Sequence, residues 1–332
     1  MKTVALIGGG FISTVHRDAY KLLEAEGRAK LVACCSKNAA EFADLKGIRF
    51  YDDYEKLILG EKGKIDCLDI CLPTFLHERA AVLGMENGFD VLCEKPMART
   101  VEEAERMATA ASATGRTLMI AQSSRFGAII NAARDFVFSG KMGALRSIGL
   151  TRYQGVATYT YKSWANDNRL SGGALLDLHI HDVDMLNWFF GMPEAVSVMG
   201  KPILCDVGFD ALAANFRYRD FFVHAACDWT LDNNKYQGRT MRFNMEKGYL
   251  FNDRADEGRK VYKAVWYDGR EEDIVIPQDA PTDYYNEISY FIDCVERGLT
   301  PEQCTPQSTV DTLRIIRAEE ESAQNGGKLI EL

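Results

Sequence analysis

The apolar positions of this chain change their rhythm once, near residue 122. Before that point, short and mostly apolar runs recur at Val4–Ile7, Leu31–Cys34, Cys67–Cys71, Val91–Cys93 and Leu118–Ala121. Segments with helical spacing lie between them, among them His77–Asn87 and Val101–Thr114. The latter opens at Thr100 with Glu103 three residues on, which is the pattern of a capping box. It closes at Gly115, a residue suited to a helix C-cap. Strands apolar on both sides of the pleat, alternating with helices, predict a parallel sheet covered on both faces. Residues 1–122 are therefore expected to form a doubly wound α/β domain.

Beyond Arg125 a helix over about 128–139 leads to a strand at Leu145–Tyr153 and a polar loop. A helix over 174–190 follows. From residue 194 strand patterns succeed one another: Ala195–Met199, Leu212–Tyr218, Phe221–Trp229, Thr240–Met245, Tyr249–Asn252, Val261–Tyr267 and Glu272–Ile276. Asp268-Gly269 marks a hairpin, so this sheet should be largely antiparallel. Helices over 283–297 and 306–324 and the tail Leu329–Leu332 complete an α+β domain, 123–332, assigned to substrate binding and oligomerisation. Its open sheet has one face for helices and another that a second subunit would cover, as a homodimer or homotetramer.

Composition narrows the function. The 332 residues are 47% hydrophobic and carry a net charge of −9 with no basic run, which argues against nucleic-acid and anionic-membrane partners. The nine cysteines are scattered, without a CxxC, and read as buried reduced thiols of a cytoplasmic protein. The apolar start MKTVALI ends in three glycines, too short for a signal-peptide core.

Gly8-Gly9-Gly10-Phe11-Ile12-Ser13 follows an apolar strand and precedes a helical segment, the context a dinucleotide fingerprint requires. Gly8 would make the tight turn and Gly10 would admit the pyrophosphate to a helix N-terminus. Ser13 replaces the third glycine and would add a hydroxyl near the phosphates. The second strand ends in Ser36-Lys37 where an NAD site would show a carboxylate. A hydroxyl and a cation there favour NADP; an ordinary solvated Lys37 is the alternative.

Cys93-Glu94-Lys95-Pro96 places Lys95 at the carboxyl end of a parallel strand, where open α/β sheets bind ligands. Together with Gly8–Ser13, Pro73-Thr74-Phe75-Leu76-His77, Gly140-Lys141-Met142-Gly143 and the pair Asp177 and His181, it resembles the Gfo/Idh/MocA family of oxidoreductases. The resemblance spans essentially the whole chain. It implies NAD(P)-dependent hydride transfer to or from a secondary alcohol of a sugar, inositol or related polyol. Lys95, Asp177 and His181 would be the catalytic trio. Phe11, Ile12, Pro73, Thr74, His77, Glu94 and Gln122 would join the cofactor site, although His77 would equally suit a helix cap and Gln122 an ordinary strand end.

On a helix, Asp177 and His181 are four apart and share a face, with Asp184 a turn further, while His179 and Asp182 point elsewhere. His181 would exchange a proton with the substrate hydroxyl and Lys95 would stabilise charge on the same oxygen. Asp177 would orient hydroxyls or pair with Lys95. A metal at His179 and His181 is disfavoured, because two residues apart on a helix the imidazoles diverge by about 200°. His179 reads better as a residue packed near an interface. Trp164, with Tyr159, Tyr161, Lys162 and Asn166, offers aromatic faces and polar groups suited to a sugar or equally to an interface. Tyr236 and the Tyr284-Tyr285 pair share that ambiguity. Two other outcomes fit the same residues: a redox-neutral glycosidase oxidising C3 transiently, and a non-catalytic NAD(P)-binding regulator.

Overall fold

A computed structural model describes residues 1–157, 160–204, 206–231, 238–252, 262–276 and 281–332, and all their side chains save those of 161 and 162. Tyr159, Tyr236 and Val261, and the side chains of Tyr161 and Lys162, lie outside what is described. The chain divides into two compact units, Met1–Ser123 with Tyr159–Trp164 and Thr282–Val310, and Ser124–Thr158 with Ala165–Pro281 and Asp311–Leu332.

The first unit holds β1 (Lys2–Ile7), α1 (Phe11–Ala25), β2 (Ala29–Cys35), β3 (Arg49–Tyr51), α2 (Tyr54–Glu61), β4 (Cys67–Ile70), α3 (His77–Glu86), β5 (Asp90–Glu94), α4 (Val101–Thr114) and β6 (Leu118–Ala121). Its six strands pair in parallel in the order β3-β2-β1-β4-β5-β6, the doubly wound order with a switch point between β1 and β4. All four residues of β4 and of β6 are buried, as the uninterrupted runs require. The Thr100/Glu103 capping box forms, and Gly115 ends α4 in the left-handed region at φ 64°. The weakly patterned β3 and α2 were not foreseen from the sequence.

The second unit contains α5 (Ala128–Phe138), β7 (Leu145–Tyr153), α6 (Asn168–Ser171) and α7 (Ile180–Phe190), which a π-helical turn over Leu175–His179 introduces. The chain continues through β8 (Ala195–Lys201), β9 (Ala211–Arg217), β10 (Phe222–Asp228), β11 (Gly238–Met245), β12 (Gly248–Asn252), β13 (Tyr262–Trp266) and β14 (Glu271–Ile274). Then come α8 (Asp283–Arg297), α9 (Pro306–Gln324) and β15 (Ile330–Glu331). The sheet runs β14-β13-β12-β11-β7-β10-β9-β8-β15 and is antiparallel except between β7 and β10. Gly269, at φ 92°, turns the expected hairpin between β13 and β14. Residues alternate across this sheet: Val223, Ala225 and Cys227 are buried while Phe222 and His224 are exposed. On the buried face His179 stacks on Phe216 of β9 and Phe136 of α5 meets Trp266 of β13.

The division departs from two consecutive blocks, because α8 and the segment after it belong to the first unit. The stripe Ile288, Phe291, Ile292 and Val295 on α8 is buried, and Arg28 beside α1 binds Ser289 and Asp293 at 2.6 and 2.7 Å. The Cys304 thiol donates to the Ile120 carbonyl of β6 at 2.9 Å. α8 thereby packs against α1 and β5, and its apolar stripe adds to the cover that a parallel sheet needs on both faces.

Candidate active site

Gly8 holds φ 115°, and a Cβ there would collide with the Cys71 carbonyl of the neighbouring strand end, so the β1–α1 turn admits only glycine. Gly10 caps α1 without a side-chain hydrogen bond, and a Cβ built on it meets no described atom within 4 Å. The backbone at Gly10 thus borders open space where α1 begins, and a helix N-terminus favours an anion. Phe11 is exposed at the rim and Ile12 packs against Leu6, Cys34, Phe42 and Cys71. The Ser13 hydroxyl, expected near the phosphates, is engaged by the turn itself. It is buried and donates to the Gly10 carbonyl at 2.6 Å, tightening the turn.

At the end of β2, Ser36 donates to the carboxylate of Glu41, and a Cβ on Gly9 would run into that same carboxylate. Glu41 comes from a 3-10 turn, Ala39–Phe42, after the strand. Arg17 holds its carbonyl at 2.9 Å and also pairs with Asp44. Lys37 donates to the Asp52 carbonyl at 2.7 Å and lies 3.6 Å from Asp53. A carboxylate therefore does stand near the glycine turn. Sequence inspection at the strand end missed it because it arrives five residues later.

Pro73 and Thr74 form the turn after β4, with Thr74 buried. His77 is enclosed, its Nδ1 2.8 Å from the Pro96 carbonyl and its Nε2 2.7 Å from the Leu72 carbonyl. It does not cap α3: its ring lies between two backbone carbonyls of the sheet edge, and an imidazole with a single N–H donates to one of them. Burial lowers its pKa. Gln122, after β6, is fully buried, and neither amide atom has a hydrogen-bond partner among the described residues. Such an orphan costs about 1–3 kcal/mol and points to a missing polar partner. Trp164 packs edge-on against Phe75, ring centres 6.4 Å apart. Along 91–98 the only residue not fully buried is Lys95.

Beneath this edge lies a buried polar cluster that sequence inspection did not single out. His16 of α1 has no exposure; its Nδ1 is 2.8 Å from Asp69 of β4 and its Nε2 3.0 Å from Glu94. Burial opposes charging the ring, but the Asp69 carboxylate and Cys71 beside it prevail and raise its pKa well above the ordinary value. Glu287 of α8 is also buried, and neither carboxyl oxygen has a hydrogen-bond partner among the described residues. Desolvation first, and then the Glu94 charge, push its pKa well up. The Tyr284 ring centre is 5.9 Å from that of His16, and burial takes its hydroxyl to about 12. His16, Asp69 and Cys71 are near enough to ligate an ion, yet both nitrogens of His16 already face carboxylates. The signal was available: an aspartate within an all-buried parallel strand requires a partner.

In the second unit, residues 174–187 are buried except for two, Asp177 and His181. The three other titratable groups of that stretch are structural. Asp184 sits in a two-pronged contact with Arg125 at 2.8 and 2.6 Å and accepts from Thr312 at 3.0 Å. Asp182 receives Arg152 at 2.9 and 2.7 Å, with Arg239 at 3.3 Å, and after the cost of burial Arg152 holds its pKa down at about 2. His179 is fully buried and pairs with Glu319 of the same unit at 3.0 Å.

A doubly wound sheet with a glycine turn leading into a helix at its switch point, and a glutamine at a strand tip whose side-chain amide has no partner among the described residues, is the framework of an NAD(P)-dependent oxidoreductase. Residues 2–122 match the oxidoreductase family with an NAD-binding Rossmann fold, and residues 130–251 match the GFO/IDH/MocA C-terminal domain. The chain belongs to the Gfo/Idh/MocA family of sugar and inositol dehydrogenases. A scyllo-inositol 2-dehydrogenase (NADP(+)) of Bacillus subtilis is 27% identical over 268 residues, 78% of this chain and 79% of that protein. A D-xylose 1-dehydrogenase (NADP(+)) of Haloferax volcanii is 28% identical over 87% of each chain. Other curated relatives are matched over little more than half their length. A levoglucosan dehydrogenase solved with NADH and levoglucosan superposes with a TM-score of 0.86 at 21% identity, over 99% of both chains. Among the described residues no helix is long and apolar enough to cross a membrane.

Proposed function

We propose that the chain transfers a hydride between a nicotinamide cofactor and a secondary alcohol or ketone of a cyclic polyol or sugar. The observation that carries this is the pattern of exposure: Lys95, Asp177 and His181 are each only partly buried within segments otherwise buried. A fold that hides every neighbour and leaves a lysine, an aspartate and a histidine accessible reserves them for a ligand.

Gly8, Gly10 and the α1 N-terminus would hold the pyrophosphate, with Phe11, Ile12, Pro73 and Thr74 along the cofactor and the Gln122 amide at its nicotinamide end. When bound, the dinucleotide supplies the hydride acceptor or donor. Lys95 would hydrogen-bond the substrate oxygen and stabilise the charge it develops, and His181 would take or return that oxygen's proton. Asp177 would orient neighbouring hydroxyls, and Trp164 would offer a ring face to the sugar's C–H groups. Between the two dinucleotides we favour NAD. Ser36 and Lys37, which by themselves suit a 2′-phosphate, are engaged by Glu41 and Asp53, and the Glu41 carboxylate near Gly9 suits a free ribose hydroxyl. We also read the chain as a cytoplasmic homo-oligomer. Its eight described cysteines are free and buried, and Met199 and Phe222 stand exposed on its second sheet. A monomer in sedimentation would end the oligomer reading.

The test is a fluorescence titration with NADH and NADPH, followed at 340 nm by scyllo-inositol, D-xylose, levoglucosan and sugar acids. Lys95→Ala and His181→Ala should each lower kcat at least about 10²-fold with cofactor affinity nearly unchanged. Full activity in either variant would remove its assigned role. Cofactor bound but never consumed would point to the redox-neutral glycosidase or the regulator instead.

A further inference from the structure

The strand tip that carries Lys95 is held from both sides by histidines. On its far side the Pro96 carbonyl faces His77 Nδ1 at 2.8 Å. On its near side the Lys95 amide donates to Oε2 of Glu94, its own neighbour, at 3.0 Å. A glutamate folded back on the next amide is one of many rotamers that side chain can adopt, and holding it costs entropy. What selects it is the contact to the other oxygen, where His16 Nε2 lies 3.0 Å from Oε1. His16 is itself fixed by Asp69 at 2.8 Å.

We propose that His16 is a positioning residue for Lys95: by bridging Asp69 and Glu94 it locks the carboxylate that receives the Lys95 amide. The proposal rests on the catalytic reading of Lys95 given above. The groups that face His16 are Asp69 and Cys71 from β4 and its end, Glu94 from β5, and Tyr284 and Glu287 from α8. Three carboxyl groups round one imidazole are an expensive way to fill a core, which hydrophobic residues would fill more stably. The return is an exact placement of the strand tip, where a displacement of about 1 Å at a reacting group can cost about 10²-fold in rate.

Two readouts test this. In hydrogen exchange of the ligand-free protein, His16→Gln should speed exchange at the Lys95 amide by about tenfold or more, with Val91–Cys93 unchanged. Unchanged exchange at Lys95 would overturn the proposal whatever the activity. In turnover of the best substrate of the panel with NAD, His16→Gln should lower kcat about 10- to 100-fold while NAD affinity stays within about twofold. Introduced into Lys95→Ala, the same substitution should lower kcat no further. An equal fall in both backgrounds would mean general damage and would also overturn it. Should His16→Gln fail to fold, Glu94→Gln keeps an oxygen for the amide but loses the charge that holds His16. It should show the same faster exchange and the same non-additivity, and normal exchange at Lys95 would overturn the proposal. A Lys95→Ala enzyme with full kcat would dismiss the catalytic reading of Lys95 while leaving the exchange result to stand by itself.

Discussion

The buried polar groups of the two units differ in how many acids each basic partner serves. In the second, Asp184 and Asp182 each rest in the fork of an arginine, Arg125 and Arg152, and His179 faces one carboxylate, Glu319. In the first, one imidazole serves both Asp69 and Glu94, while Glu287 beside them has no hydrogen-bond partner among the described residues. The two arginine forks tie helix to sheet and turn to helix at little net cost, while the His179–Glu319 contact leaves Nδ1 of the one and Oε2 of the other without a hydrogen-bond partner among the described residues. A cluster with more acids than partners is a cost the fold bears where it also places Lys95. On the catalytic reading of Lys95 proposed above, the surplus of acids round His16 is a better guide to function than the density of polar residues along the chain. The stretch 172–186 is dense in histidine and aspartate, yet most of its polar residues are scaffold.

The sharpest way to break this contrast is to unpair the second unit. Arg125→Met strands a buried carboxylate and should cost about 3–5 kcal/mol in urea unfolding, much of it recovered by adding Asp184→Leu. A loss below about 1 kcal/mol would mean that the pair is not scaffold.

The two clusters should also respond to opposite ends of the pH scale. Asp182 is held at about 2 in the fold, so its contribution is present above the ordinary carboxylate value and is lost as pH falls through 2. That contribution is on the order of 2 kcal/mol, and Asp182→Asn should flatten the acid limb of a stability–pH curve. Glu287 has its pKa raised, so the folded chain keeps a proton that the unfolded chain releases. Stability from this group is present below the unfolded value and lost as pH rises towards the folded one. Glu287→Gln should remove that alkaline slope; a slope that persists would place its origin in His16 or elsewhere.

The smallest expected effect concerns the cofactor. Glu41→Gln removes a carboxylate beside Gly9 and should move the NAD:NADP affinity ratio about tenfold towards NADP, or about 1.4 kcal/mol. An unchanged ratio, read by nicotinamide fluorescence, would detach Glu41 from the ribose.

How much of this was legible beforehand depended on range. The strands Val4–Ile7 and Leu118–Ala121, the capping box at Thr100 and the hairpin at Asp268-Gly269 were readable because each is fixed by neighbours a few residues away. So was the need for glycine at Gly8, since a strand followed by three glycines and a helix has few other conformations. Lys95, Asp177 and His181 were named from motif and spacing, and the fold adds that each stands alone in its accessibility.

The partners of buried groups were not readable. Arg125 meets Asp184 across 59 positions, His16 meets Glu94 across 78, and His179 meets Glu319 across 140. Nor did the order of elements show that α8 returns to the first sheet. Backbone sterics and side-chain period act locally, so the sequence by itself determined which segments are strands and helices and which turn must be glycine. Desolvation acts wherever the chain happens to close on itself. Which histidine and which acid have their pKa raised, and which groups they meet, are decisions that only the tertiary structure made.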